Sequence, residues 1–152
     1  MSALKDPEFQ ALLKDLVSEE RRKKRRRPNR FEARGLLLPL GTALLDGDPE
    51  VETALAKVRV ILESEREAWH AAFDEELTLA ATEHVRSCDP GFLKHPHYDF
   101  PYTVAARHRL EARLQAAEAL DLAAPENLLD QIERADRILA PYLDSRDTAE
   151  RG

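Results

Sequence analysis

Residues 48–86 read DPEVETALAKVRVILESEREAWHAAFDEELTLAATEHVR, with no glycine and no proline after Pro49. Asp48 is a favourable N-cap, and Pro49 suits a first helical position because its missing N–H would find no partner there. Glu50 adds a carboxylate where the helix dipole favours one. Val51, Ala54, Leu55, Val58, Leu62, Trp69, Ala72, Phe73 and Ala80 then recur at steps that place them on one face of a helix. A single helix from Asp48 to Arg86 would be roughly 58 Å long at about 1.5 Å per residue. No residue in the stretch demands a break. The same face carries Glu65, Glu76, Glu83 and His84, and buried carboxylates require partners. Arginines from another helix are the expected partners, unless the C-terminal end is open to water or forms a site.

Composition agrees with a helical chain. Charged residues make up 34%, and only 5 of 152 residues are glycine. The expected fold is all-α: a bundle of four to five helices arranged around residues 48–86. Three regions are expected: residues 1–30 as an N-terminal docking helix with a basic segment, residues 31–144 as the helical bundle, and residues 145–152 as a flexible tail. A lone Cys88 excludes an internal disulfide and suits a reducing compartment. No apolar run approaches the ~20 residues of a membrane span, and the N-terminus has no signal-peptide pattern. A cytoplasmic protein is expected, and the dominance of arginine over lysine suggests a bacterial one.

Outward from the central stretch, Asp6-Pro7 opens a first helix whose stripe is Phe9, Leu12, Leu13, Leu16 and Val17. It is expected to continue into the basic run and to end at Pro28-Asn29. Alone in water it would be marginal, so Phe9, Leu12, Leu13 and Leu16 are candidate contacts for a protein partner. Phe31 to Leu45 is strongly apolar, and Gly35, Pro39 and Gly41 predict a helix with a kink or irregular turn near Pro39. A buried strand over Leu36–Leu40 is the lesser alternative, for want of strand partners. Residues 88–101 predict a packed, aromatic, irregular loop. A further helix starts at Thr103 with Ala106, Leu110, Leu114 and Ala117 inward and His108 outward. A last helix starts near Pro125 with the stripe Leu128, Leu129, Ile132, Ala135 and Leu139, and Pro141 ends or bends it.

Two constellations carry possible chemistry. Residues 21–30 hold eight cations and no acid: Arg21, Arg22, Lys23, Lys24, Arg25, Arg26, Arg27 and Arg30. With a net charge of −6 overall, that +8 leaves −14 on the other 142 residues. Arginine-rich segments meet phosphate through charge and paired hydrogen bonds, so these eight are the candidate nucleic-acid contacts. No recognition-helix or RNA-binding motif accompanies them, so the signal is affinity without sequence specificity, and DNA is not separated from RNA. Pairing with the chain's own acids, or contact with an anionic membrane surface, would use the same residues.

The second is His84-x3-Cys88-x6-His95-x-His97. Imidazole and thiolate are ligands for zinc, and residues 84 and 88 lie one helical turn apart. The spacing matches no zinc-finger pattern, and hydrogen-bonded loop histidines around a core cysteine would produce the same string. Nucleophilic catalysis lacks a Gly-x-Ser-x-Gly turn, a phosphate-binding glycine loop and a third residue to orient a Cys–His pair. Glu67-x-x-His70 resembles half of a di-iron motif whose second copy is missing. The expectation is therefore a non-enzymatic adaptor or assembly subunit of a bacterial cytosolic complex without a cofactor. It would use the first helix on a protein partner and the basic segment on nucleic acid. The alternative is a zinc-binding protein or metalloenzyme at His84, Cys88, His95 and His97. Oligomeric state is left open.

Overall fold

The computed structural model describes residues 2–151 in backbone and residues 2–144 in side chains. After a 3-10 turn at Ala3–Lys5, the helices are α1 (Pro7–Leu16), α2 (Glu19–Lys24), α3 (Arg30–Leu45), α4 (Val51–Glu63), α5 (Arg66–Ser87), α6 (Pro90–Leu93), α7 (Phe100–Ala119) and α8 (Glu126–Arg151). The fold is all-α, with no strand among the described residues, and Leu36–Leu40 is helical. Among the described residues the expected four to five helices become eight, because the first and the central helices are each divided in two and the aromatic loop holds the short α6.

Local chemistry accounts for the divisions. The first helix does not run into the basic segment. The Ser18 hydroxyl donates to the Asp15 carbonyl at 2.8 Å and accepts from the Arg21 N–H at 3.2 Å, closing α1 and capping α2. Asn29 and Glu32 form a reciprocal capping box that starts α3. The long helix is in two pieces. Ser64 and Glu65 separate α4 from α5, with the Ser64 hydroxyl on the Ile61 carbonyl at 3.1 Å and the Glu65 N–H on the Leu62 carbonyl at 3.3 Å. The apolar stripe lapses there, since Leu62 and Trp69 are seven positions apart and only Ala68 intervenes. Without packing across that turn, local polar bonds set the backbone.

Contacts divide the chain into two compact units, Met1–Leu77 with Glu111–Ala124, and Thr78–Leu110 with Pro125–Gly152. The division falls inside α5 and α7, and the boundary expected at residue 30 lies within the first unit. In that unit Leu36, Leu37, Leu40, Leu55, Val58, Leu62, Trp69 and Phe73 are buried, with the Trp69 and Phe73 rings edge to face at 6.1 Å. α3 runs through Pro39 as one helix. Gly41 is required by proximity: a Cβ there would lie 1.8 Å from the Ala112 carbonyl oxygen, so the backbones of α3 and α7 meet where only hydrogen fits.

In the second unit Cys88, Leu93, Ala135 and Leu139 form a small core with Tyr98, Phe100, Tyr142 and Leu143 packed against it. The Tyr98 hydroxyl donates to the Ser87 carbonyl and shares a 2.8 Å hydrogen bond with Thr103 Oγ1, which pins the aromatic loop down. Thr103 is buried and does not cap α7; the Asp99 carboxylate does so, accepting from the Tyr102 N–H at 2.9 Å. α8 continues through Pro141 to Arg151. Of the tail expected at 145–152, the backbone of 145–151 belongs to α8, and its side chains and Gly152 lie outside the described residues.

Candidate functional site

The eight cations of the basic segment separate into two groups. Arg21 is buried and forms a two-pronged ion pair with Glu32, one bond at 2.9 Å, with Asp15 at 3.4 Å as a further partner. The hydrogen bond from Arg21 to Glu32 holds the guanidinium pKa above its ordinary value, against the cost of burial. Arg30 lies 3.3 Å from the buried Glu76 carboxylate, which also receives Arg113 Nε at 3.1 Å, and it stacks over Phe31 at 4.3 Å. These two arginines bind the chain to itself and are withdrawn from the expected nucleic-acid contacts. Glu76 thus has the arginine partners its place on an apolar face demanded. Lys24 makes an exposed pair with Glu20 at 2.8 Å, worth about 0.3–0.5 kcal/mol.

Arg22, Lys23, Arg25, Arg26 and Arg27 are exposed and have no ion pair among the described residues. The backbone explains their display. The Arg25 N–H bonds to the Arg22 carbonyl at 3.2 Å and the Arg26 N–H to the Arg21 carbonyl at 3.4 Å, with Arg25 left-handed at φ 51°. This is a Schellman closure, which turns the chain sharply off the helix and usually employs glycine at the left-handed position. α7 closes in the same way, with Asp121 at φ 61°. Aspartate tolerates that conformation, whereas arginine gains nothing locally to offset its Cβ clash. Arg22, Arg25, Arg26 and Arg27 line an open groove of about 480 Å³ together with Leu16, Val17, Ser18 and, from the α4–α5 break, Ser64 and Glu65. Nothing in the sequence linked Ser64 and Glu65 to the arginine loop, which lies about forty positions away.

The N-terminal stripe is partly consumed within the first unit. Phe9 is 2% exposed, and Leu12 Cδ2 packs where a Cβ on Gly35 would lie 2.7 Å away. Phe9 is therefore a core residue of its own chain and is removed from the partner-facing set. Leu12, Leu13 and Leu16 are half-buried.

The structure does not bring His84, Cys88, His95 and His97 together as one site. Among the described residues no group of three or more histidine, cysteine, aspartate or glutamate side chains is arranged to hold a metal ion. His84 and Cys88 are buried, whereas His95 and His97 are exposed. The His97 N–H donates to His95 Nδ1 at 3.1 Å, and the two rings are 5.6 Å apart beside an open cavity of about 590 Å³ that Phe92 and Tyr102 also line. Exposed and separate from the buried pair, they do not complete the four-ligand set zinc requires.

His84 instead has a partner that sequence reasoning missed. Its Nε2 lies 2.7 Å from Asp136 Oδ1, and Arg107 grips the same carboxylate with Nε at 3.0 and 3.1 Å from its two oxygens. Burial raises the Asp136 pKa, but the hydrogen bonds from Arg107 and His84 outweigh it and hold the carboxyl below its ordinary value. Asp136 sits beside Ala135 on the inward stripe of α8, and a charged residue at such a position was the available clue. With Asp136 present, the order thiol, imidazole, carboxylate invites comparison with a nucleophilic triad. The geometry rejects it. Cys88 Sγ is 3.9 Å from both ring nitrogens, so it is aligned with neither lone pair, and burial pushes the thiol pKa up.

No protein-family model matches the chain, and no match was found among curated proteins or solved structures.

Proposed function

We propose that this protein is a non-enzymatic helical adaptor of the bacterial cytoplasm that contacts nucleic acid through Arg22, Lys23, Arg25, Arg26 and Arg27. The observation that carries the reading is the division of the basic segment. Arg21 and Arg30 are held by carboxylates, while these five are displayed without an acidic partner among the described residues, four of them around one groove. Cations without an acidic partner release condensed counterions from a phosphate backbone, and that release is the main source of sequence-independent affinity. The half-buried Leu12, Leu13 and Leu16 are the surface through which a protein partner would be engaged.

The test is fluorescence anisotropy of the purified protein with duplex DNA at several salt concentrations. Three to five neutralised phosphates give a log–log slope of roughly −3 to −4.5, at about −0.9 per phosphate, independent of base sequence. Absence of binding near 50 mM salt, an approximate condition favouring such contacts, would dispose of the nucleic-acid role.

A further inference from the structure

We infer that the occupant of the groove is a duplex phosphodiester backbone, seated between the arginine loop and the α4–α5 break, with Glu65 opposing it. The inference rests on the nucleic-acid reading and deepens it in two respects, namely which form of nucleic acid binds and which remote residue limits the affinity.

The form follows from what the groove lacks. Proteins that hold single strands offer aromatic faces on which bases stack, each worth about 1–3 kcal/mol. No aromatic side chain lines this groove; the apolar lining is Leu16 and Val17. Its attraction is charge, and a duplex presents phosphates at higher density than a single strand does. The Schellman closure adds a second argument. Arg25 holds a left-handed backbone that glycine would adopt without a Cβ clash, and in doing so it contributes to a row with Arg26 and Arg27. Strain retained where a cheaper residue exists is characteristic of a surface used for contact.

Glu65 locates the site. If the arginine loop bound phosphate with its tip alone, away from the helices, no acid on the α4–α5 break would matter. If the backbone lies in the groove, the Glu65 carboxylate faces the phosphates and repels them. Such a residue lowers affinity and steepens the requirement for several simultaneous arginine contacts, so that isolated phosphates and short anions are held poorly.

The experiment compares the unsubstituted protein with Glu65→Gln and with Glu52→Gln on a duplex and on a single strand of equal length. Glu52 is also exposed, carries the same charge and stands about 17 Å from the break along α4 at about 1.5 Å per residue. That exceeds the Debye length of about 10 Å at 0.1 M salt. The duplex is expected to bind on the order of tenfold tighter than the single strand. Glu65→Gln should tighten duplex binding roughly two- to fivefold, the scale of one unit charge at a few ångströms in water, and Glu52→Gln should change it by less than about 1.5-fold. Equal or tighter binding of the single strand overturns the duplex assignment. Equal effects of the two substitutions, or none from Glu65→Gln, overturn the seating in the groove. Failure of every form to bind overturns the proposed function itself, a result distinguishable from either.

Discussion

In the loop that closes α2, Arg22, Arg25, Arg26 and Arg27 are exposed and make no ion pair among the described residues. At the end of α5 the opposite arrangement holds: His84 is 2% exposed, clamped to an aspartate that an arginine also grips, with the Cys88 sulfur 3.9 Å from both of its ring nitrogens. Both places are dense in chemically capable side chains. They differ in whether the backbone turns those side chains toward other parts of the chain. A residue on a helix face that packs must find its partners inside, because a buried polar group left unpaired costs about 1–3 kcal/mol. A residue on a loop directed outward by a left-handed closure need not. The first kind of cluster holds the fold together, and the second is available to a ligand.

That distinction predicts separable losses. The largest should come from His84→Ala, which leaves a cavity at a fully buried site and deprives Asp136 of one donor. A stability loss of about 2–4 kcal/mol in denaturant unfolding is expected, with nucleic-acid binding unchanged at a temperature where the variant is folded. A stable His84→Ala variant with impaired binding would erase the contrast.

Asp136→Asn should cost less, roughly 1–2 kcal/mol, because its side chain is 36% exposed and solvent screens the pair. It also has a pH signature. The folded-state pKa of Asp136 lies below the ordinary 3.8, so its contribution is fully present above about that pH and is lost as pH falls through the depressed folded value. Wild-type stability should therefore drop more steeply below about pH 4 than that of Asp136→Asn. Parallel acid limbs in a stability titration would mean the carboxylate gains nothing from Arg107 and His84.

The smallest effect has the opposite sign. Arg25→Gly removes the Cβ clash of the left-handed position and should stabilise the chain by up to about 1 kcal/mol, less the flexibility that glycine adds to the unfolded state. The same substitution should weaken polyanion binding. A variant that gained stability and kept full affinity would show that the strained arginine serves no contact.

How much of this was legible in the sequence depended on range. Asp6-Pro7, the inward pair Trp69–Phe73 and the stripe of α8 apart from Leu129, which is exposed, were readable because caps and helical spacing are local signals. Gly41 was readable as a glycine but its role was not, since the Ala112 backbone it approaches is supplied by α7. The break at Ser64–Glu65 was hidden because both residues are tolerated in helices, and only the lapse in apolar spacing hinted at it. The basic run was visible as charge, yet its division was not. Arg21 is assigned to Glu32 by a capping box eleven positions on, and Arg30 to Glu76 by packing forty-six positions on. The histidines and Cys88 suggested a metal site because sequence brings four candidate ligands of two types close, whereas the fold buries His84 and Cys88 and leaves His95 and His97 exposed.

The most direct test is the salt dependence of duplex binding by Arg25→Ala/Arg26→Ala/Arg27→Ala beside the wild type. Removing three free cations should flatten the log–log slope by up to about 2.7 units, at about 0.9 per phosphate. Stability should change by less than about 0.5 kcal/mol, as expected for exposed charges without partners. A slope equal to that of the wild type would contradict the assignment of these arginines to nucleic acid.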